Sequence, residues 1–204
     1  MALDNQVKRD TIVEAAIKRF THFGIAKTSI TEIAEDISLT KQALAYYFPD
    51  KQSIIQAAEE KITAGYIDIL GQQLNNAASF KKVLDELINV KYSFFRKYYI
   101  LAHEVEQMEQ TAIRPSSHWK EGLKAREIAL LVPIVLQGIT RGELKPSEPA
   151  KTSELLLDTM YAFTQCVKMK GGVADEQALL NIFEKLNEVL TLLYDGLKTN
   201  SWKN

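Results

Sequence analysis

The chain has 204 residues, 46% of them hydrophobic, with a formal net charge of −1 at pH 7. That is enough to bury one or two cores, and the near-zero charge excludes a broadly basic surface that would hold nucleic acid by Coulombic attraction alone. The lone Cys166 excludes an intramolecular disulfide, the first eight residues lack the apolar core of a signal peptide, and the longest apolar run, Ile128 to Leu136, falls far short of the roughly 20 residues of a membrane helix. A cytoplasmic protein with no membrane partner is expected.

In chain order, Ile12, Ala16 and Phe20 recur at fours with Ala15 beside them, which predicts a helix with one buried stripe, closed by Gly24. Ile30, Ile33, Ala34 and Ile37 set the next, about two turns long, with Ser29 and Glu32 spaced as a capping box. Ser38, Leu39 and Thr40 interrupt the period. A third segment, Lys41 to Tyr47, keeps Leu44 for the core and turns Lys41, Gln42, Ala43, Tyr46 and Tyr47 outward. Two short helices joined by so tight a turn form a helix-turn-helix unit. Thr40 is suited to cap the third helix and offer a donor to phosphate, Lys41 adds a charge, the two tyrosines add hydroxyls, and Lys51 follows Pro49-Asp50, where Asp50 reads as the cap of a fourth helix. Residues 1–51 carry seven basic and seven acidic side chains, so DNA binding would depend on a few placed contacts and on two copies acting together.

The spaced pattern Arg9, Ile12, Ala15-Ala16, Phe20, Gly24, Thr28-Ser29, Ile33-Ala34, Leu39-Thr40-Lys41, Leu44, Tyr47-Phe48 and Lys51 resembles the N-terminal domain of the tetracycline-repressor (TetR) family of transcription regulators. The resemblance implies that the third helix enters the major groove, with Thr28, Thr40, Tyr47 and Lys51 at phosphate-contact positions. The chain departs from the family at three places. Ser38 stands where the turn usually has glycine. Gln42 replaces a frequent second glycine and puts a base-reading amide on the recognition helix. Ala45 stands where a tyrosine is usual.

Beyond Lys51 the pattern stays helical, with helices expected over 51–74, 80–96, 98–110, 118–141, 149–169 and 176–198 and breaks at Asn75-Asn76, Arg114 to Ser117, Gly142 to Pro149 and Gly171-Gly172. Ser79 and Asp175 read as caps. The expected architecture is all-α, about nine helices, divided into a helix-turn-helix DNA-binding domain at 1–50 and a helical ligand-binding and dimerisation domain at 51–204, joined through the helix that begins near Lys51.

The last two helices carry wide apolar stripes, with Leu156, Met160 and Phe163 on one and Leu186, Val189 and Leu193 on the other. A homodimeric four-helix bundle and an ordinary intrachain core both account for them, and the family resemblance favours the homodimer. Between Tyr92 and Met108 the chain is rich in rings with polar tips, the composition of a pocket for a small, largely apolar effector. Tyr99, His103, Gln107, Trp119, Phe163 and Cys166 are the candidate lining residues, with Gln137 and Gln165 as further polar candidates and Pro133 expected to kink its helix and open space. By itself Cys166 reads as a small core residue. His22, His103 and His118 form no zinc-type pair, and neither a phosphate loop nor a nucleophile elbow is present, so no enzyme activity, metal or cofactor is expected. The expected function is a ligand-responsive regulator, a repressor that binds a palindromic operator as a homodimer and is released by its effector. The alternative is a helical ligand-binding or interaction module that keeps the helix-turn-helix shape without reading DNA.

Overall fold

The computed structural model describes residues 2–110, 119–168 and 176–199. Among these residues the regular structure is eight α-helices and one isolated bridge between Leu144 and Lys198. The helices are α1 (Ala2–Phe23), α2 (Ile30–Asp36), α3 (Lys41–Tyr47), α4 (Lys51–Asn75), α5 (Phe80–Gln110), α6 (Trp119–Thr140), α7 (Pro149–Lys168) and α8 (Glu176–Leu197).

Local chemistry accounts for most helix ends. Gly24, at φ 85°, ends α1 with its N–H on the Phe20 carbonyl, 3.0 Å away. A side chain there would also collide with the Glu104 carboxylate. Ser29 and Glu32 form the reciprocal capping box of α2. Asp50 caps α4 by accepting the Ser53 N–H at 2.7 Å, and Ser79 caps α5 by accepting from Lys82 and Val83. Asp175 lies outside the described residues.

One expectation about the long helices changes. The segments 80–96 and 98–110 form one helix, α5, because no glycine or proline lies between Phe80 and Gln110 to interrupt its backbone ladder. Helix α6 runs on through Pro133, whose side chain is exposed.

Packing divides the chain into Met1–Gly65 with Lys97–Ser116 as one unit, and Tyr66–Arg96 with Ser117–Asn204 as the other, which differs from a single cut at residue 50. In the first unit Ile12, Ala16 and Phe20 of α1, Ile33 of α2 and Leu44 of α3 are fully buried. Arg19 links the first two of these helices, donating to Asp36 at 2.6 and 2.8 Å with Glu32 3.3 Å away. Asp36 is thereby held below the usual carboxylate range.

In the second unit α6 packs on α7 and α7 on α8. The C-terminal strand-like end closes it, with the Lys145 N–H on the Leu197 carbonyl at 2.8 Å and the Thr199 N–H on the Glu143 carbonyl at 3.0 Å. Leu131, Leu157, Met160 and Leu186 are fully buried and Leu156 nearly so. Their stripes are therefore satisfied within one chain. Leu156, Met160 and Leu186, expected at a dimer interface, are core residues, because the other faces of α6, α7 and α8 already cover them.

Candidate functional site

Helix α3 begins where the chain makes its one left-handed turn outside glycine among the described residues, Ser38 at φ 55°. A serine in that region is strained by roughly 1–2 kcal/mol relative to glycine. The turn is held by the Leu39 N–H on the Ala34 carbonyl at 2.8 Å. Thr40 follows as N-cap, its hydroxyl oxygen accepting the Ala43 N–H at 3.1 Å, as its position in the sequence predicts.

With Leu44 anchored in the core, helical spacing determines what remains outside. Lys41, Gln42 and Ala45 are exposed and Tyr46 projects with 75% of its surface free, packed edge-on against the half-buried ring of Tyr47 at 5.1 Å. Arg9 braces the end of this helix from α1: its guanidinium donates to the Tyr47 carbonyl at 2.7 Å and lies 4.3 Å from the centroid of Phe48. Helix α3 contains no acidic residue. Four carboxylates of α1 and α2 are engaged elsewhere, Glu32 and Asp36 with Arg19, and Asp10 and Glu14 with Lys61.

Two residues implied at phosphate-contact positions have internal roles. Thr28 is buried and its hydroxyl donates to the Gly24 carbonyl at 2.8 Å, which fixes the turn between α1 and α2. The Lys51 ammonium donates to the Ile25 carbonyl at 2.5 Å, and burial pushes its pKa down against the opposing pull of Glu104. On the other side of the same turn Glu104, from the end of α5, accepts the Ala26 N–H at 2.9 Å. Residues 24–26 are thus clasped from α4 and from α5, an arrangement that links positions 78 apart and has no signature in local spacing.

The candidate effector residues fall in both units. Tyr99 is buried and stacks on His103 at 6.0 Å, and both belong to the first unit. The His103 Nδ1 is buried and unpartnered. Gln107 is exposed in that unit too. Phe163 is half-buried and Cys166 exposed in the second unit, so the cysteine is not a core residue. It lies on the side of α7 that faces away from the buried Leu157, Met160 and Thr164. Gln137 and Gln165 are exposed as well. The side chain of Trp119, along with those of Met108 and His118, lies outside the described residues.

The second unit instead gathers polar groups that residue spacing did not single out. Glu127 of α6 has none of its surface exposed. Its Oε1 accepts from the Tyr66 hydroxyl at 2.5 Å and the Lys91 ammonium at 2.6 Å, and its Oε2 accepts from the Tyr161 hydroxyl at 2.6 Å. Four helices, α4 to α7, meet on one carboxylate. Lys91 is itself buried, with its ammonium 4.4 Å from the Tyr161 ring centroid and 5.9 Å from that of Tyr66. Burial, reinforced by the Glu127 charge, pushes both tyrosine hydroxyls up, so they remain protonated donors. The only sequence signal was a charge, Glu127, directly before the apolar run of α6, and a lysine ahead of an aromatic cluster. Among the described residues no cluster of three or more His, Cys, Asp or Glu side chains is placed to hold a metal, and no helix is long and apolar enough to cross a membrane.

Residues 12–58, which span α1 to the first turns of α4, match the family of bacterial regulatory proteins, tetR family. The HTH-type transcriptional regulator YvdT of Bacillus subtilis (strain 168) is 25% identical over 132 residues, covering 60% of this chain and 68% of that protein. A transcriptional regulator from Cytophaga hutchinsonii ATCC 33406 superposes with a TM-score of 0.80 at 25% identity, over 94% of this chain and 99% of that one. A TetR-family regulator from Mesorhizobium loti MAFF303099 has a TM-score of 0.79 at 16% identity, over 96% and 98% of the two chains. Residues 12–58 thus carry the N-terminal domain of the tetR family, and the related regulator and a fold shared along nearly the whole length make the chain similar to TetR-family transcription regulators.

Proposed function

We propose that this chain is a cytoplasmic repressor that binds a two-fold operator as a homodimer and leaves it when a small-molecule effector occupies the larger helical unit. The observation that carries the DNA part is the outward face of α3, where Lys41, Gln42 and the 75%-exposed Tyr46 stand on a helix whose other side is locked by Leu44. An exposed tyrosine ring of that size is poorly suited to solvent and well suited to lie along a sugar-phosphate edge. Gln42 is the base reader, matching the amide to adenine, and Lys41, Thr40, Tyr46 and Tyr47 hold phosphates. Thr28 and Lys51 act indirectly, by fixing the backbone of the turn that presents α2 and α3, or through whatever hydrogen-bonding capacity their internal contacts leave.

The homodimer rests on an unpartnered apolar surface of α7 and α8. Leu155 is 57% exposed, Leu192 71% and Leu193 39%, with Phe163 and Val189 half-buried. Leu155, Thr159, Ala162 and Cys166 follow one another along one side of α7 at helical spacing. An isologous contact through these residues matches a two-fold operator, whose half-sites lie one helical turn, roughly 34–36 Å, apart. The effector acts by mass action, shifting the DNA-competent population only as far as it prefers the released form.

Selection of random genomic fragments by the purified protein tests the reading. Enrichment of a palindromic sequence is expected, and a Lys41→Ala, Tyr47→Phe double variant should fail to retain it. No enriched sequence would leave the chain as a helical module that does not read DNA. A Leu155→Glu, Leu192→Glu variant should sediment as a folded monomer with little affinity for the operator.

A further inference from the structure

We propose that Glu127, with the rings of Tyr66 and Tyr161, is a binding site for an organic ammonium group, and that Lys91 is the chain's own occupant of that site, which an amine effector displaces. The inference rests on the reading of the larger unit as an effector receptor and names the chemical class of the effector.

The geometry is that of a cation site already filled. A carboxylate with no exposed surface sits 2.6 Å from an ammonium, and an aromatic face lies 4.4 Å from the same nitrogen. Carboxylate and ring faces together are the two groups that recognise an alkylammonium away from water. The four partners are not equally fixed. Glu127 is held on both of its oxygens by hydroxyls, from the buried Tyr66 on α4 and the half-buried Tyr161 on α7. Lys91 reaches the carboxylate only with the end of a four-carbon stem, a flexible side chain with three rotatable donors. The replaceable element is therefore the ammonium, and what remains after it swings away is a preorganised anion between aromatic rings. An anionic effector is disfavoured at the same place, since it would have to approach within contact distance of Glu127.

A buried ion pair contributes little net stability, because desolvation of both charges offsets most of their attraction. As a mere fastening of four helices it has small value. As a cation receptor it has the property the effector reading requires: displacement of Lys91 frees α5 from α6 while the incoming ligand keeps Glu127 paired, so ligand occupancy and helix contact are exclusive alternatives.

The test uses the whole chain, free of DNA, and n-propylammonium, which reproduces the Lys91 side chain from Cγ to Nζ. 1-Propanol and propanoate serve as neutral and anionic comparators, with binding followed by calorimetry and by the shift in Tm. The wild type is expected to bind the ammonium alone. Lys91→Ala, which removes the internal competitor and opens its space, should bind it at least roughly tenfold more tightly, as expected when the binding-competent fraction rises from a minority to all of the molecules. Glu127→Gln should lose binding. If Lys91→Ala does not fold, Lys91→Gln, which retains a donor to Glu127 without the charge, takes its place and the same ordering is expected. No response of the wild type to the ammonium, or a preference for propanoate, overturns the proposal. Because the measurement needs no DNA, a failure here leaves the DNA-reading assignment standing, and a failure to find an operator leaves the ammonium result standing.

Discussion

The first unit and the second solve opposite problems with their polar residues. In the helix-turn-helix part of the first, charge is kept outside: the buried faces of α1, α2 and α3 are apolar, and Arg19, Glu32, Asp36 and Lys41 lie at the surface, while Glu59, further along the chain on α4, is buried. In the second, a carboxylate and an ammonium are inside, joined to two tyrosines from separate helices. The first arrangement leaves the polar face of α3 outward, on the surface proposed to read DNA. The second puts a high-stakes polar junction where helices meet, which is fully satisfied in one arrangement only and so defines two alternatives rather than a continuum.

The largest expected effect that sharpens this contrast is in the second unit. Glu127→Ala leaves a buried ammonium and two buried hydroxyls without their acceptor and should lower stability by about 3–5 kcal/mol, read from the urea midpoint. A Glu127→Leu, Lys91→Met double variant should recover most of the loss, since both charges go together. If the double variant is as unstable as Glu127→Ala, the cluster is not an independent ion pair and the contrast between the units fails.

On the reading head, Gln42→Ala should change sequence preference, with a loss of about 1–3 kcal/mol confined to one base pair in each half-site. Stability should be unchanged, because the side chain is exposed. A uniform loss over all sequences would make Gln42 a phosphate contact. Smaller again is Ser38→Gly, which should gain about 1 kcal/mol in stability by removing the left-handed strain at φ 55° without touching the DNA face.

The smallest effects separate the units by pH. Arg19 holds Asp36 low by a hydrogen bond and by its charge, so this contribution is whole above the ordinary carboxylate value of 3.8 and is lost as pH falls through the still lower folded value. Tyr66 and Tyr161 are raised by burial and by Glu127, so their contribution is whole below the ordinary phenol value of 10.0 and declines above it, where the unfolded chain releases protons that the folded one retains. Arg19→Met should therefore flatten the acid limb of a stability profile, and a Tyr66→Phe, Tyr161→Phe double variant the alkaline limb. Exchange of the two effects would overturn the assignment of these groups.

The helix-turn-helix was legible residue by residue: the periodic positions Ile12, Ala16, Phe20, Ile33 and Leu44 are the buried ones, and Gly24, Ser29, Thr40 and Asp50 end or cap the helices as their chemistry dictates. These are interactions within a few residues, so spacing alone contains them. In the larger unit spacing identified apolar stripes but not what covers them. Leu156, Met160 and Leu186 proved to be covered by their own chain, and the exposed apolar residues are Leu155, Leu192 and Leu193 instead, because which flank of a wide stripe is left over depends on how helices cross. The polar junction lay further from reach still. Tyr66, Lys91 and Tyr161 are separated by 34 to 61 positions along the chain from their partner Glu127 on α6, and a buried charge has the same one-letter signature as a solvated one. The clasp of Glu104 on Ala26 is of the same kind. The sequence by itself determined most of the helices, the caps at their ends and the outward face of α3, since those follow from local backbone and side-chain preference. Only the tertiary structure decided which carboxylate would be buried and which lysine would meet it, since that pairing is made by the packing of helices and by nothing nearer in the chain.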